Sequence, residues 1–450
     1  MASDLLKSFY LETFGCQMNM VDSEWIAMLL GTIGYRQVAT PEQADLILLN
    51  TCSVRDRAER KVYGHLGRCK PLKDQRPDLI LAVGGCVAQQ EGLRLLEKVP
   101  YLDIVFGTHN VHRLPELVRD VETRRRRRCE TTHYVGPQRL DQFPQRDASA
   151  AVSRFVTVMQ GCDNFCTYCV VPYVRGREVS RRSGDILAEV ESLVASGVRE
   201  VTLLGQNVNS YGQKGSGDLS FAELLRQVHA IDGLQRLRFT SSHPKDLSNE
   251  LIDCFASLDK LCPHMHLALQ SGSDRILRAM NRGYGREQYR ERIAALRQAC
   301  PQIRLTTDLI VGFPGETLDD FEQTLDMLEQ VRFADAYTFL YSPRPQTKAL
   351  DLADPVGAEE KQRWFDRLLV TQKRISGEIW QQDVGTLQEV LVEGPSRTGN
   401  GQIYGRNVWG RIVNLEGPQT LIGEMASVRI RRCLNNSHLG ELVDNDSGEN

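Results

Sequence analysis

Three cysteines, Cys162, Cys166 and Cys169, stand in the stretch GCDNFCTYC at the spacing C-x3-C-x2-C. Three thiolates this close together can ligate three irons of a [4Fe–4S] cluster. The fourth iron is then left without a protein ligand, and an open coordination position marks a catalytic rather than a structural metal site. At this spacing the usual occupant is S-adenosylmethionine, which an electron from the cluster cleaves to a radical. A zinc knuckle and a redox CxxC pair are the alternatives. A tetrahedral zinc site needs a second ligand pair at suitable spacing, and the neighbouring sequence supplies none.

A second set of thiols is spread over 70 residues. SFYLETFGC, DLILLNTC, LILAVGGC and YLDIVFGT read as strands, with helical stretches such as VDSEWIAMLLGTIGY and RDRAERKVYGHLGRC between them. Apolar runs alternating with helices predict a parallel sheet in a doubly wound α/β domain. Cys16, Cys52 and Cys86 each fall just past a strand end. Ligands of such sheets bind at the carboxyl edge of the strands, so the three thiols are expected to converge there as a second metal site. Unrelated buried cysteines are the plainer alternative, and their repetition at equivalent strand ends argues against it.

The elements divide the chain into an N-terminal cluster-binding α/β domain (7–122), a basic linker (123–150) that includes Arg124–Arg128, and a central domain (151–382). Six further βα repeats in the central domain fit a partial (β/α) barrel, whose reactive groups gather at the C-terminal strand ends. A helical extension, KQRWFDRLLVTQKRISGEIWQQ, leads to short strands broken by Gly, Pro and Asn, read as a small β-barrel (383–442), with an acidic tail (443–450) behind it. Lys373, Arg374, Arg397, Arg406, Arg411, Arg429, Arg431 and Arg432, interleaved with Tyr404 and Trp409, give that region an RNA-binding composition. The five-arginine run is either a solvated surface or a second attraction for phosphate.

Composition bounds the rest. A net charge of −3 means that local patches, not the whole chain, must decide any polyanion binding. The twelve cysteines are scattered through a long chain, unlike a small secreted disulfide framework. The N-terminus lacks a signal-peptide pattern and no run of 18 apolar residues occurs, so a soluble cytoplasmic protein without membrane association is expected.

On the stretches TFGCQMNMVDSE, NTCSVRDRAERKVYGHLG, GGCVAQ, GCDNFCTYCVVPYVRGREVSR, VTLLGQNVNSYG and TTDLIVGFPGET, the chain resembles the methylthiotransferase family of radical S-adenosylmethionine enzymes from residue 8 to about 440. GCQMN and NTCSVR are most similar to the branch acting on isopentenylated adenosine in tRNA. The resemblance implies that a methylthio group is placed on carbon 2 of the adenosine beside the anticodon. It implies two [4Fe–4S] clusters: one on Cys16, Cys52 and Cys86 for the sulfur, one on Cys162, Cys166 and Cys169 to split S-adenosylmethionine. One S-adenosylmethionine gives the methyl group and another the 5′-deoxyadenosyl radical. The C-terminal barrel is then a TRAM-type RNA-binding module. The implied partners are the anticodon stem-loop, an electron donor, and a sulfur source or iron–sulfur assembly protein.

Cofactor contacts are expected from Tyr168 on the adenine, Gln206 and Asn207 on the methionine end, Gln270 and Ser271 on the ribose, and Gly312, Pro314 and Gly315 where backbone approaches the adenine. Arg175 and Arg177 suit bidentate binding of carboxylate or phosphate. HLALQSGSD carries Ala268 where the family has proline, which predicts a looser loop. Two readings compete: transfer to another target (threonylcarbamoyl-adenosine in tRNA, or a ribosomal protein), and a non-catalytic iron–sulfur RNA-binding protein.

Overall fold

The computed structural model describes residues 7–53, 56–133, 151–214, 218–396 and 401–443, without the side chains of 56–60. Most of the segment read as linker, Arg397, and nearly all of the acidic tail lie outside the described residues.

Strands β1 (Lys7–Thr13), β2 (Tyr35–Gln37), β3 (Leu46–Thr51), β4 (Ile80–Gly85), β5 (Ile104–Phe106) and β6 (Arg128–Glu130) form one all-parallel sheet in the order β2-β1-β3-β4-β5-β6. Helices cover both faces, so β3 is buried at every position. Leu46 and Leu48 pack with Trp25 and Ile26 on one face, while Ile47 and Leu49 pack with Val62 and Leu66 on the other. The order reverses between β1 and β3, the topological switch point where such sheets bind ligands.

The arginine run is an exposed surface, Arg124 to Arg127 all facing out, and several of its members also carry ion pairs or hydrogen bonds. Helix capping and strand pairing anchor its ends: Arg124 closes the helix Leu114–Arg124, and Arg128 opens β6. Arg124 and Arg128 pair with Asp120, Arg125 with Asp78, and Arg127 donates to the carbonyls of Leu102 and Val99. The N-terminal sheet therefore reaches past residue 122, taking its last strand from the linker segment.

In the central domain, β7 (Ser153–Thr157) is followed by a short antiparallel pair, β8 (Met159–Gln160) with β9 (Val179–Ser180). Strands β10 (Glu200–Leu204), β11 (Arg236–Phe239), β12 (His264–His266), β13 (Arg304–Val311) and β14 (Asp335–Leu340) complete two parallel three-stranded sheets, β11-β10-β7 and β12-β13-β14. Single bridges, Leu237 to Leu261 and Ser242 to Leu267, join them into an open barrel. The long helix Ala358–Gln381 lays Trp364, Leu368 and Ile375 on the barrel core, with Trp364 stacked on Phe321 at 5.5 Å.

Strands β15 (Leu387–Pro395), β16 (Gln402–Asn407), β17 (Ile412–Glu416), β18 (Met425–Cys433) and β19 (Ser437–Leu442) close a barrel around Val390, Ile403, Val413 and Val428. It docks on the N-terminal ends of the central strands, away from their functional ends. Arg236 and Arg238, at the start of β11, donate to the carbonyls of Arg406, Glu389, Val408 and Asn407. Arg304, the first residue of β13, lies 4.3 Å from the ring of Trp380 and 3.8 Å from that of Trp409. Several residues read as an RNA surface are therefore part of this joint. Arg411 is buried against Trp380, and Trp409 covers Arg304 while donating to the Gln302 carbonyl. Arg374, Arg406 and Arg431 are ion-paired, Arg374 and Arg431 at the exposed surface, where Lys373 and Arg432 also lie, with Arg429 half-exposed.

Asp383 closes the joint, accepting from Arg304 at 2.9 Å and pairing with His438 at 2.9 Å. Burial raises its pKa, but the hydrogen bonds from Arg304 and His438 outweigh this and hold it at about 2. A depressed carboxylate contributes stability above its unfolded pKa and loses it as pH falls through the folded value. Docking should thus persist through pH 4 and fail as pH falls toward about 2, read by the fluorescence of Trp380 and Trp409. Asp383→Asn, leaving Arg304 unpaired in a nearly dry joint, should cost about 3 kcal/mol and remove this acid transition.

Candidate active site

Cys16 and Cys52 follow the two strands that flank the switch point of the N-terminal sheet, and Cys86 follows the next strand. Cys16 precedes the helix Gln17–Gly31, and Cys86 opens the helix Cys86–Glu91. The buried Asn19 ties their loops together: its Nδ2 donates to the Thr51 carbonyl at 2.8 Å, and its own carbonyl accepts from Asn50 Nδ2 at 2.9 Å. Two glycines permit the approach. At Gly15 (φ +118°) a Cβ would fall 2.9 Å from Cys52 Sγ, and at Gly85 (φ +91°) it would fall 2.4 Å from the Thr51 carbonyl oxygen.

Cys16 interacts with both other thiols, and Arg175 acts on Cys16 and Cys86. A hydrogen bond with Cys52 lowers the Cys16 pKa to about 6, against burial and with help from Arg175. Burial raises that of Cys86, opposed by Arg175 and reinforced by Cys16. Arg175 belongs to the central domain and pairs with Asp22 through Nη2 at 2.7 Å. Gly85→Ala would force a side chain into a backbone conformation essentially restricted to glycine, a strain of about 1–3 kcal/mol before the clash with Thr51 is counted. We expect this variant to melt at a lower temperature than the wild type, read by thermal unfolding.

The second trio sits at the C-terminal mouth of the open barrel. Cys162 follows β8, its N–H donating to the Gly176 carbonyl at 3.2 Å, and the Cys169 N–H donates to the Cys166 carbonyl at 2.9 Å. The loop is pinned from behind by Thr167 Oγ1 to the Ala279 carbonyl, and by Asn281 Nδ2 to the Asn164 and Phe165 carbonyls. Arg177 pairs with Asp163 and lies 5.2 Å from the Phe165 ring. Burial pushes Cys162 up to about 11 and Cys169 up to about 12. Metal binding must therefore displace their protons.

Arg282, which the sequence reading passed over, is the cation of this trio. It is 4% exposed, its Nη1 lies 3.4 Å from Cys166 Sγ and 3.5 Å from Tyr168 Oη, and its Nη2 donates to the Ala268 carbonyl at 2.7 Å. An arginine three residues past a helix end carries no sequence signal of such a role. The Ala268 carbonyl of this loop accepts from both Arg282 Nη2 and Tyr284 Oη.

The remaining residues lie on the loops after the strands. Tyr168 packs against Ile276, Met280, Ile310 and Phe313. Gln206 Oε1 accepts from the Gly161 N–H, and its Nε2 is buried without a partner. Asn207 Nδ2 donates to Asp246 at 2.8 Å, leaving Oδ1 unpartnered. Gln270 (φ +71°) bridges β12 to β13, and the Ser271 hydroxyl lies 3.4 Å from that of Thr324 while accepting from the Ser273 N–H. Gly312 (φ +77°) and Gly315 (φ +78°) flank the buried Pro314. Glu316, also missed, accepts from the N–H groups of Gly312 and Phe313, and burial lifts its pKa to about 7.

The donor sets fit iron–sulfur clusters. Among the described residues no three Cys, His, Asp or Glu side chains are gathered closely enough to share one metal ion. A [4Fe–4S] cluster takes each thiolate on a different iron. Each trio also has a buried guanidinium to balance thiolate charge. The barrel mouth fits a polar cofactor, because Gln206 Nε2, Asn207 Oδ1, His243 Nε2 and Glu316 Oε1 are buried there without partners. Unpartnered buried groups of this kind are rare unless something completes them.

Three family models match the chain: Uncharacterized protein family UPF0004 over residues 8–107, Radical SAM superfamily over 156–328, and TRAM domain over 381–443. Curated relatives extend over nearly the whole chain. A tRNA-2-methylthio-N(6)-dimethylallyladenosine synthase of Syntrophotalea carbinolica is 61% identical over 97% of this chain and 100% of its own length. Proteins of the same name from Geobacter sulfurreducens and Carboxydothermus hydrogenoformans are 58% and 48% identical, over 98% and 94% of this chain and 99% and 96% of theirs. Among solved structures, the radical S-adenosylmethionine methyltransferase TsrM of Kitasatospora setae, with cobalamin and a [4Fe–4S] cluster bound, is similar in fold. Its TM-score is 0.58 at 15% identity, covering 86% of this chain and 77% of that one.

Proposed function

The chain belongs to the methylthiotransferase family of radical S-adenosylmethionine enzymes, and we infer from that premise how its two thiol sites divide the work. It is a transferase that modifies tRNA, placing a methylthio group on N(6)-dimethylallyladenosine. The observation that carries this reading is the near full-length identity to synthases of that name, 61% over 97% of the chain. Neither rival target nor a non-catalytic role finds support among these relatives.

We assign Cys162, Cys166 and Cys169 to the [4Fe–4S] cluster that receives S-adenosylmethionine, and Cys16, Cys52 and Cys86 to a second cluster that serves the incoming sulfur. When bound, the cofactor supplies a radical able to take hydrogen from an adenine C–H that general acid–base catalysis cannot activate. The protein's own part is to hold and shield. Gln206 and Asn207 offer an uncommitted donor and acceptor to the methionine end. Tyr168 packs near the adenine, Gln270 and Ser271 shape the ribose side, and Gly312, Pro314 and Gly315 let backbone approach the base. Arg282 fixes the Cys166 and Tyr168 side chains relative to the Ala268 loop.

RNA suits the remaining geometry. The docked β-barrel and the cofactor mouth lie at opposite ends of the eight-residue β13, about 26 Å apart. A long polyanion can touch both, and Lys373, Arg374, Arg429, Arg431 and Arg432 are the exposed or half-exposed groups placed to meet its phosphates. An electron donor and a source of sulfur are required from outside. The test is nucleoside mass spectrometry of tRNA incubated with the anaerobically reconstituted protein, S-adenosylmethionine and a strong reductant. Isopentenylated tRNA should yield the 2-methylthio nucleoside, while tRNA lacking the isopentenyl group should yield none. Modification of threonylcarbamoyl-adenosine instead would overturn the assignment.

A further inference from the structure

Arg282 is a full positive charge buried beside a thiol, with no carboxylate to answer it. The buried Arg175, Arg181, Arg236 and Arg411 each pair with an acidic side chain, Asp22, Glu189, Glu389 and Asp335 in turn. Among the described residues Arg282 has no such partner. Its Nε donates to Tyr284 Oη at 3.1 Å and its Nη2 to the Ala268 carbonyl at 2.7 Å. Its Nη1 donates to Cys166 Sγ at 3.4 Å and lies 3.5 Å from Tyr168 Oη. Every nitrogen of the guanidinium is thus committed to a neutral oxygen or to the thiol.

The charge is also fixed in place. The backbone N–H of Arg282 donates to the Leu277 carbonyl at 2.9 Å, and the guanidinium lies 5.3 Å from the centre of the Tyr284 ring. Tyr284 Oη is anchored in turn on the Leu269 carbonyl at 2.6 Å. A buried cation is strongly unfavourable unless negative charge faces it, and the three thiols are the groups that can supply it. Cys166 does so by contact, and Cys162 and Cys169 through space. As cluster ligands these sulfurs are thiolates, and one-electron reduction adds a further negative charge beside them. A fixed cation hydrogen-bonded to a ligand sulfur favours that more negative state. The N-terminal trio lacks this bias, because Asp22 offsets Arg175 there.

We propose that Arg282 sets the reduction potential of the barrel-mouth cluster, raising it through its charge and through the N–H it gives to Cys166 Sγ. This rests on the reading that Cys162, Cys166 and Cys169 carry a cluster. The electron comes from the external donor and stays on the cluster, while Arg282 keeps its proton and no bond to it forms or breaks. Arg282 acts through Cys166 and is a positioning residue, one that steers the electron to the site where S-adenosylmethionine is split.

The test uses the full chain carrying Cys16→Ala, Cys52→Ala and Cys86→Ala, which retains the barrel-mouth trio alone. The anaerobically reconstituted protein, without S-adenosylmethionine, is titrated with dithionite at controlled potential, and the reduced cluster is counted by electron paramagnetic resonance. Arg282→Met, which removes the charge and the donor, should lower the ratio of reduced to oxidised cluster at any one potential about tenfold or more. For one electron, tenfold is a midpoint lower by about 59 mV. Arg282→Lys, which keeps the charge, should fall between that variant and the parent. An Arg282→Met midpoint equal to the parent's at equal iron content overturns the proposal and leaves the cluster assignment standing. If Arg282→Met takes up no iron, Arg282→Gln decides, because it keeps an N–H donor but carries no charge; a midpoint equal to the parent's there overturns the proposal. Absence of any cluster in the parent protein overturns both this proposal and the reading beneath it.

Discussion

Cys166→Ala is expected to abolish 5′-deoxyadenosine formation from S-adenosylmethionine. The Cys166 thiol is one of three at the barrel mouth and the one that Arg282 Nη1 faces at 3.4 Å. Losing a residue that merely orients a metal ligand costs roughly 10–100-fold, so losing the ligand itself should cost more than about 100-fold. The substitution removes a sulfur without touching the loop's anchors, Thr167 to the Ala279 carbonyl and Asn281 to the Phe165 carbonyl. The fold should therefore survive, and an unchanged circular dichroism spectrum beside lost 5′-deoxyadenosine would locate the effect at the cluster. Retained cleavage would sink the assignment of this trio.

Cys52→Ala should separate the two halves of the reaction. Its thiol hydrogen-bonds to Cys16 at the switch point of the other domain, remote from the loop that carries Cys162. Cleavage of S-adenosylmethionine should stay within a few-fold of wild type, while methylthio insertion into tRNA should fall more than about 100-fold. Continued insertion at full rate would show that Cys52 is not a ligand. The pair of variants is more informative than either alone, because a general loss of folding lowers both products together.

The places of both cysteine trios, just past strand ends, were legible in the sequence for physical reasons. The first is a local motif, and local spacing survives whatever the rest of the chain does. The second was readable because buried parallel strands announce themselves as continuous apolar runs, as in LILLNT, and the residue after such a strand must lie at the sheet edge. What stayed hidden depends on tertiary contact. Arg282 and Glu316 acquire their roles only when separate loops meet, and nothing in their sequence neighbours signals it. Charge was misleading in the opposite direction. Arg127 and Arg411 look like phosphate ligands in sequence, but their hydrogen bonds go to backbone carbonyls and, for Arg411, its face goes to Trp380. Composition records that a charge exists, while burial and partners decide whether it is available.

The central claim is that two separate thiol trios each carry a cluster, and iron stoichiometry tests it most directly. Iron and sulfide would be counted, and Mössbauer spectra recorded, for the anaerobically reconstituted protein. The same would be done for a Cys16→Ala/Cys52→Ala/Cys86→Ala variant and a Cys162→Ala/Cys166→Ala/Cys169→Ala variant. The account predicts about eight irons per chain in the wild type and about four in each triple variant, all with the spectrum of [4Fe–4S] clusters. About four irons in the wild type, all lost in the second triple variant and none in the first, would contradict it.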